Sequence, residues 1–426
     1  MELNGQRTYE MLQKIGFTRP AGSDEELRAA EIIKAECEAI GVPAIIEPFT
    51  IEDAEITTAT FEILEPFQQS FEVTGYKCAE NTPDEGLIAD FLYVESGADV
   101  DLADARGKIV LANGYLRVPL FQKLMKAGIA GLVTMDGTIH DTDADSDLAT
   151  RTLRRTLRAF GNVPAVNIRV KDAMDLIRRG ASKAKIVLKN TVVERTSHNV
   201  IAAIKGTERP EEIISFGAHY DSVPFSTGVY DNGAGSVINL EILRWFQENP
   251  PVRTVKFMWY GSEEIGLEGS WAYVKGHKDE LADHKLMINV DVGGPVLGHE
   301  LVLVTAEEPL VSFTDYLLKA AGLSAEVKQS IYSSDSIPFA DSGVPGINFL
   351  RTGAQGAAYI HNRHDTMEFL SPEALLKTTK IVLEFSKAMA NAKVFPVNRE
   401  IPKNMVEEVE KYLYKKELAE AAGTEK

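Results

Sequence analysis

The stretch IISFGAHYDSVPFSTGVYDNGAGSVINLEILRWFQEN, residues 213–249, reads as an apolar strand, a loop of turn formers and an amphipathic helix. Strand followed by helix, repeated along a chain, is the signature of an α/β domain with a mostly parallel sheet flanked by helices. Working outward, VKFMWYG, KLMINVDV, LVLVTA and GINFL read as further strands. PLVSFTDYLLKAAG and SPEALLKTTKIVLEFSKAMANA read as helices, the second with Ser371 as cap and Pro372 at its first position. Upstream, SDEELRAAEIIKAECEAIG starts with Ser23 and Glu26 in capping-box spacing and stops at Gly41.

The loop itself brings His219, Asp221 and Asp231 close together in sequence. A capped turn, a buried His–Asp pair or an acidic loop facing water would each account for that loop on its own. Two other strand ends weigh against these readings: Glu263 and Glu264 follow VKFMWYGS, and Asp291 closes KLMINV. Open α/β sheets bind ligands outside the carboxyl ends of their strands, where such loops converge. Zinc takes imidazole nitrogen and carboxylate oxygen, and a catalytic site keeps a position open for water. Two ions about 3.5–4 Å apart need a bridging carboxylate, for which Asp231 is placed. Asp221 would stand behind His219 and fix its tautomer. Adjacent side chains point differently, so one of the two glutamates can ligate while the other acts as general base. AAYIHNRHDTMEF offers His361 and His364 as a second histidine. His140, His198, His277, His284 and His299 lie in polar settings and read as surface residues.

At 426 residues the chain is long enough for two domains. Between residues 55 and 195 the pattern changes to strand-like runs and one βαβ unit, GKIVLANGYLRVPLFQKLMKAGIAGLVTMDG. That suggests an insert at 55–195 within a discontinuous domain of 1–54 and 196–395, followed by a charged helix and tail at 396–426. HDTDADSDLATRTLRRTLRAFG reads as a solvated loop and surface helix. Cys37 and Cys78 have no CxxC spacing, so neither a disulfide framework nor a thiolate site is expected. A formal charge of −18 disfavours nucleic acid and anionic lipid as partners. No run of about 18 apolar residues marks a membrane span, and the start lacks a secretory pattern, so a cytoplasmic location is expected.

GAHYDSV, YDNGAGS, GSEEIGLEGS, NVDVGG and HNRHDT, in this order and spacing, resemble the zinc-dependent exopeptidases that include the co-catalytic zinc aminopeptidases, glutamate carboxypeptidase and the transferrin receptor. The resemblance covers roughly residues 20–390. The βαβ segment is similar to the protease-associated insert of several members, and SSDSIPFADSGVPGINF to their cleft segment. The resemblance implies two Zn²⁺ ions, with Co²⁺ or Mn²⁺ as substitutes. It implies His219, Asp231, Glu264, Asp291 and His361 as ligands, Asp231 bridging, and Glu263 as general base with Asp221 supporting. Ile360 stands where many members have tyrosine, with Tyr359 one step back, and Ser336 stands where histidine or tyrosine is frequent. The expected function is an aminopeptidase acting on peptides, with self-association left open. A carboxypeptidase would need a cation for the terminal carboxylate, from Arg351 or Arg363. A one-zinc glutaminyl-cyclase-like transferase or a non-enzymatic binding protein would have lost ligands, and this chain retains the set.

Overall fold

The structure, a computed structural model, describes residues 2–113, 116–142 and 145–423. The chain folds as two compact units: Met1–Ile51 with Thr196–Leu413, and Glu52–Arg195 with Tyr414–Lys426.

In the first unit the strands lie in the order Glu326–Gln329, Gly298–Thr305, Gly346–Gly353, His284–Val290, Arg209–His219, Arg253–Tyr260, ending on the last residues of Lys183–Ile204. Arg209–His219 is parallel to both of its neighbours, and His284–Val290 is parallel to Gly346–Gly353. Strands buried on both faces read as largely apolar runs, as Ile213–Ala218, with Ser215 as its one polar residue, and Phe257–Tyr260 do. Phe216 and Phe257 stack at 4.3 Å between ring centroids. Register decides where the chemistry falls: His219 pairs with Tyr260, and Gly217 with Asn289. The three strand ends that carry His219, Glu263 and Asp291 are therefore adjacent.

Helices Ala234–Glu248 and Pro372–Asn391 contribute to the core that covers the sheet. Helix Gly5–Ile15 packs against Pro372–Asn391 so closely that a Cβ on Gly5 would lie 2.1 Å from the Pro372 carbonyl oxygen. Helix Asp24–Ile40 is capped by Ser23, whose Oγ accepts the Glu26 N–H at 3.1 Å. The reciprocal half of the capping box is not made to Ser23. The buried Glu26 carboxylate accepts from Gly22 N–H, Ser197 Oγ and Tyr220 OH instead.

The second unit has its own sheet, in which Leu87–Tyr93, Ile109–Leu111, Gly131–Asp136 and Ala165–Arg169 run parallel. Helix Val118–Ala127 connects two of these strands. The strand Ala44–Glu65 continues unbroken through residue 54, where the sequence pattern suggests a boundary.

Three expectations change. The charged helix expected after residue 395 is more than a solvated face, because helix Lys403–Tyr412 buries Met405 and Val409, and Val409 clusters with Leu267, Ile337 and Ala340. An apolar pair at i and i+4 makes one face of an otherwise charged helix sticky. Of the five histidines read as surface, only His140 and His299 are exposed. His284 is fully buried beside Ser215 and Glu280, and His277 pairs with Glu47 at 3.0 Å. In HDTDADSDLATRTLRRTLRAFG, the helix is limited to Arg155–Arg158, and Leu148, Leu153 and Leu157 are buried; Asp143 and Ala144 lie outside the described residues.

Candidate metal centre

The proposed ligands meet at the carboxyl edge of the first unit's sheet. His219, Asp231 and Asp291 offer atoms within 4.8 Å of one another, and so do Asp231, Glu264 and His361. Asp231 belongs to both triads. His219 Nε2 lies 3.3 Å from Asp231 Oδ1 and 3.6 Å from Asp291 Oδ1, while His361 Nε2 lies 3.0 Å from Asp231 Oδ2 and 3.2 Å from Glu264 Oε2. The two carboxylate oxygens of Asp231 thus face different histidines. Glu263 Oε2 stands 4.0 Å from His219 Nε2.

Local structure explains these positions. Asp221 is fully buried; its two oxygens accept the backbone N–H groups of Glu263 at 3.0 Å and Glu264 at 3.2 Å. Its Oδ1 also lies 3.4 Å from His219 Nδ1. One carboxylate therefore ties two strand ends together. Ser262, Val292 and His361 all have φ near +60°, at 60°, 60° and 57°. Such backbone is unfavourable for residues with a Cβ, above all for β-branched Val292, and persists where surrounding contacts over-determine it.

Two further residues, to which the sequence pattern assigns no role, hold the site together. The fully buried Asn232, which reads as part of a turn, donates to the Val290 carbonyl and accepts from the N–H groups of Val292 and Gly235. It brackets Asp291 from both sides. Asp365 accepts the N–H groups of Tyr230 at 2.8 Å and Asp231 at 3.1 Å, linking the His361 loop to the Asp231 loop. Its position in HNRHDT, just after the histidines, is the one sequence signal for it. The Tyr332 phenol is held well above its ordinary pKa by burial and by the charges of Asp291, Asp231 and Glu263.

The electrostatics call for a cation. Burial works against a charged His219, yet Glu263, Asp221, Asp231 and Asp291 pull its pKa well above the ordinary value. His361 is likewise pushed up to about 11, with Asp231 and Glu264 outweighing burial. Burial pushes the Glu263 carboxyl well above its usual range; His219 opposes this, and Glu264, Asp335 and Asp291 reinforce it. Asp291 Oδ1 is buried with no hydrogen-bond partner. A buried, unpaired carboxylate oxygen is costly unless a positive ion satisfies it. The donor set of imidazole and carboxylate, with a shared carboxylate in the middle, fits a pair of zinc-like ions.

Other candidates fall outside the cluster. His364 is exposed, its ring 5.6 Å from that of Tyr359. Tyr359 and Ile360 are themselves exposed. Arg351 is buried and fully engaged, donating to the carbonyls of Pro295 and Val296 and to Glu300 Oε1 at 2.9 Å. It is not available to bind a substrate carboxylate.

Comparison with known proteins follows the same geometry. Residues 199–386, which contain every proposed ligand, match the profile of peptidase family M28. Over that stretch the chain is similar to peptidase family M28. It is 25% identical over 388 residues to human carboxypeptidase Q, covering 87% of this chain and 82% of that protein. It is 27% identical over 398 residues to aminopeptidase YwaD of Bacillus subtilis, covering 88% and 82%. The fold also appears in the solved structure of BSAP, a zinc aminopeptidase from Bacillus subtilis, at a TM-score of 0.76 and 23% identity over 95% of this chain and 99% of that one.

Proposed function

We propose that this chain is a two-zinc exopeptidase that releases residues from the N-terminus of peptides. The observation that carries the reading is Asp231, shared between the triad with His219 and Asp291 and the triad with Glu264 and His361. When bound, the ions would polarise the scissile carbonyl and make a water acidic. Glu263, backed by Asp221 through its own N–H, takes the proton from the attacking water and passes it to the leaving amine. Asp221 and Asp365 hold the loops of His219, Glu264 and Asp231 in register, so the donors are organised before substrate arrives.

The choice of terminus rests on charge. The cluster is rich in carboxylates, which suit a substrate ammonium, and Arg351 is occupied by Glu300 and two carbonyls. The likeness to carboxypeptidase Q keeps the alternative in view, with Arg363, two residues beyond His361, as its remaining cation. Zinc analysis of the purified protein, combined with hydrolysis of matched free, N-acetylated and C-amidated peptides, tests the proposal. Two ions per chain and loss of cleavage on N-acetylation are expected. Cleavage abolished by C-amidation instead would establish the carboxypeptidase, and a single ion would end the two-metal scheme.

A further inference from the structure

Arg19 lies ahead of every motif described above, yet it is the most extensively bonded side chain beside the cluster. It is fully buried. Its guanidinium donates to the carbonyls of Tyr220, Thr227 and Gly228 at 2.7 Å for the last, and to those of Ile15 and Phe17 at 3.0 Å each. Its backbone N–H donates to Ser222 Oγ at 3.0 Å, and the Ser222 N–H returns to the Arg19 carbonyl at 3.2 Å. The acceptors on the second segment sit at both ends of the loop that joins His219 and Asp221 to Asp231. None of them is a carboxylate. The fork is matched by backbone carbonyls, the geometry that a planar guanidinium fixes and an ammonium does not.

The glycines of this loop sit in the same tight packing. A Cβ on Gly228, which has φ +57°, would lie 2.6 Å from Ser222 Cβ and 2.9 Å from the Asp231 carbonyl oxygen as well as 3.1 Å from Arg19 Nη2, and one on Gly233 would lie 2.8 Å from Leu12 Cδ1 and 3.2 Å from Arg19 Nη2. Both positions need glycine for the loop to close on itself and on the guanidinium. Burial lowers the Arg19 pKa only to about 10, with Asp221, Asp365, Asp231 and Glu264 opposing, so the group stays charged. A fixed positive charge therefore stands behind the acidic cluster without taking up any ligand oxygen.

We infer that Arg19 is a positioning residue for the metal centre: it clamps both ends of the 220–228 loop and so sets the spacing of His219 and Asp221 from Asp231. This inference rests on the metal reading above. It assigns the N-terminal segment a direct part in metal affinity, beyond packing.

The test compares wild type, Arg19→Lys and Ser222→Ala, each stripped of metal. Far-ultraviolet circular dichroism checks the fold, thermal midpoints are taken with and without Zn²⁺, and the Zn²⁺ dissociation constant is read by competition with a chromophoric chelator. Arg19→Lys keeps the charge but loses the fork, and is expected to weaken Zn²⁺ binding by about 10–100-fold, as loss of groups that orient ligands does. The gap between zinc-loaded and metal-free midpoints should shrink accordingly. A merely structural role would lower both midpoints equally and leave the dissociation constant unchanged, and that result overturns the inference. If Arg19→Lys does not fold, Ser222→Ala decides by the same criterion, with a smaller loss expected and a wild-type constant overturning the claim. Wild-type protein that binds no Zn²⁺ would refute the metal reading itself, and the inference with it.

Discussion

Glu263 and Glu264 are sequence neighbours whose backbone N–H groups both end on Asp221. Glu264 joins the triad with Asp231 and His361, while Glu263, among the described residues, comes within reach only of His219 and Glu264 and of neither Asp231 nor Asp291 in such a group. That asymmetry divides the two roles. Glu263→Gln keeps the shape and the backbone anchor but cannot accept a proton, so it should retain the wild-type zinc content while kcat falls by about 10²–10⁴. A variant with near wild-type turnover would remove Glu263 from the chemistry. Arg351 makes the opposite case, a cation that looks functional in sequence and is structural in the fold. Arg351→Met would strand the buried Glu300 carboxylate and the carbonyls of Pro295 and Val296, a loss on the order of 3 kcal/mol for a broken buried pair. Burial already pushes the Glu300 carboxyl up, so part of this loss would be relieved by protonation. The thermal midpoint should drop while KM for folded protein stays put. A rise in KM confined to substrates with a free carboxyl-terminus would return Arg351 to the binding site.

Strands and their ends were the legible elements, because burial on both faces makes for largely apolar runs and a parallel sheet places its loops on one edge. Side-chain clamps onto backbone carbonyls follow no periodicity, so Arg19 and Asn232 leave no comparable trace. His284 was misread for a related reason: polar neighbours surround it in ADHKLM, but it is the first residue of a buried strand. There it joins a network spanning several elements. Lys256 bonds both oxygens of Glu280, Tyr273 donates to Glu280 at 2.9 Å, and His284 faces Glu280 and Tyr273 on one nitrogen and Ser215 on the other. Asp283 and, through His277 stacked on Tyr273, Glu47 complete the charged surroundings. His284 and Lys256 hold Glu280 well below its ordinary range, and burial lowers the pKa of His284. In both groups the unfolded chain binds protons more readily than the folded one, so both contribute stability that is lost as pH falls. The loss begins below about pH 6.5 for His284 and steepens below about 4.5 for Glu280. Metal-free Glu280→Gln should therefore be less stable than wild type at pH 7, with a midpoint that declines less between about pH 5 and 3. Parallel midpoint curves for the two proteins would show that this network does not govern acid stability.

For the whole molecule, the decisive fact is that all the candidate ligands lie in one of two units, each with its own core. A ligand that binds only the folded form stabilises what it binds, by about 4 kcal/mol at a thousandfold excess over its dissociation constant. Zinc should act on Met1–Ile51 with Thr196–Leu413 and leave Glu52–Arg195 alone. The discontinuity does not weaken this argument, because Arg19, contributed before the chain crosses to the other unit, clamps the His219 loop contributed after it returns. Calorimetry of the zinc-loaded chain should resolve two transitions, only one of which moves down when a chelator is added. Hydrogen exchange identifies which unit has moved. On chelation, peptides covering Arg209–His219, Ala234–Glu248 and His284–Val290 should lose protection, while those covering Ile109–Leu111, Gly131–Asp136 and Ala165–Arg169 should keep it. Equal loss of protection in both sets would mean that the units unfold as one cooperative body, and the metal would then stabilise the entire chain.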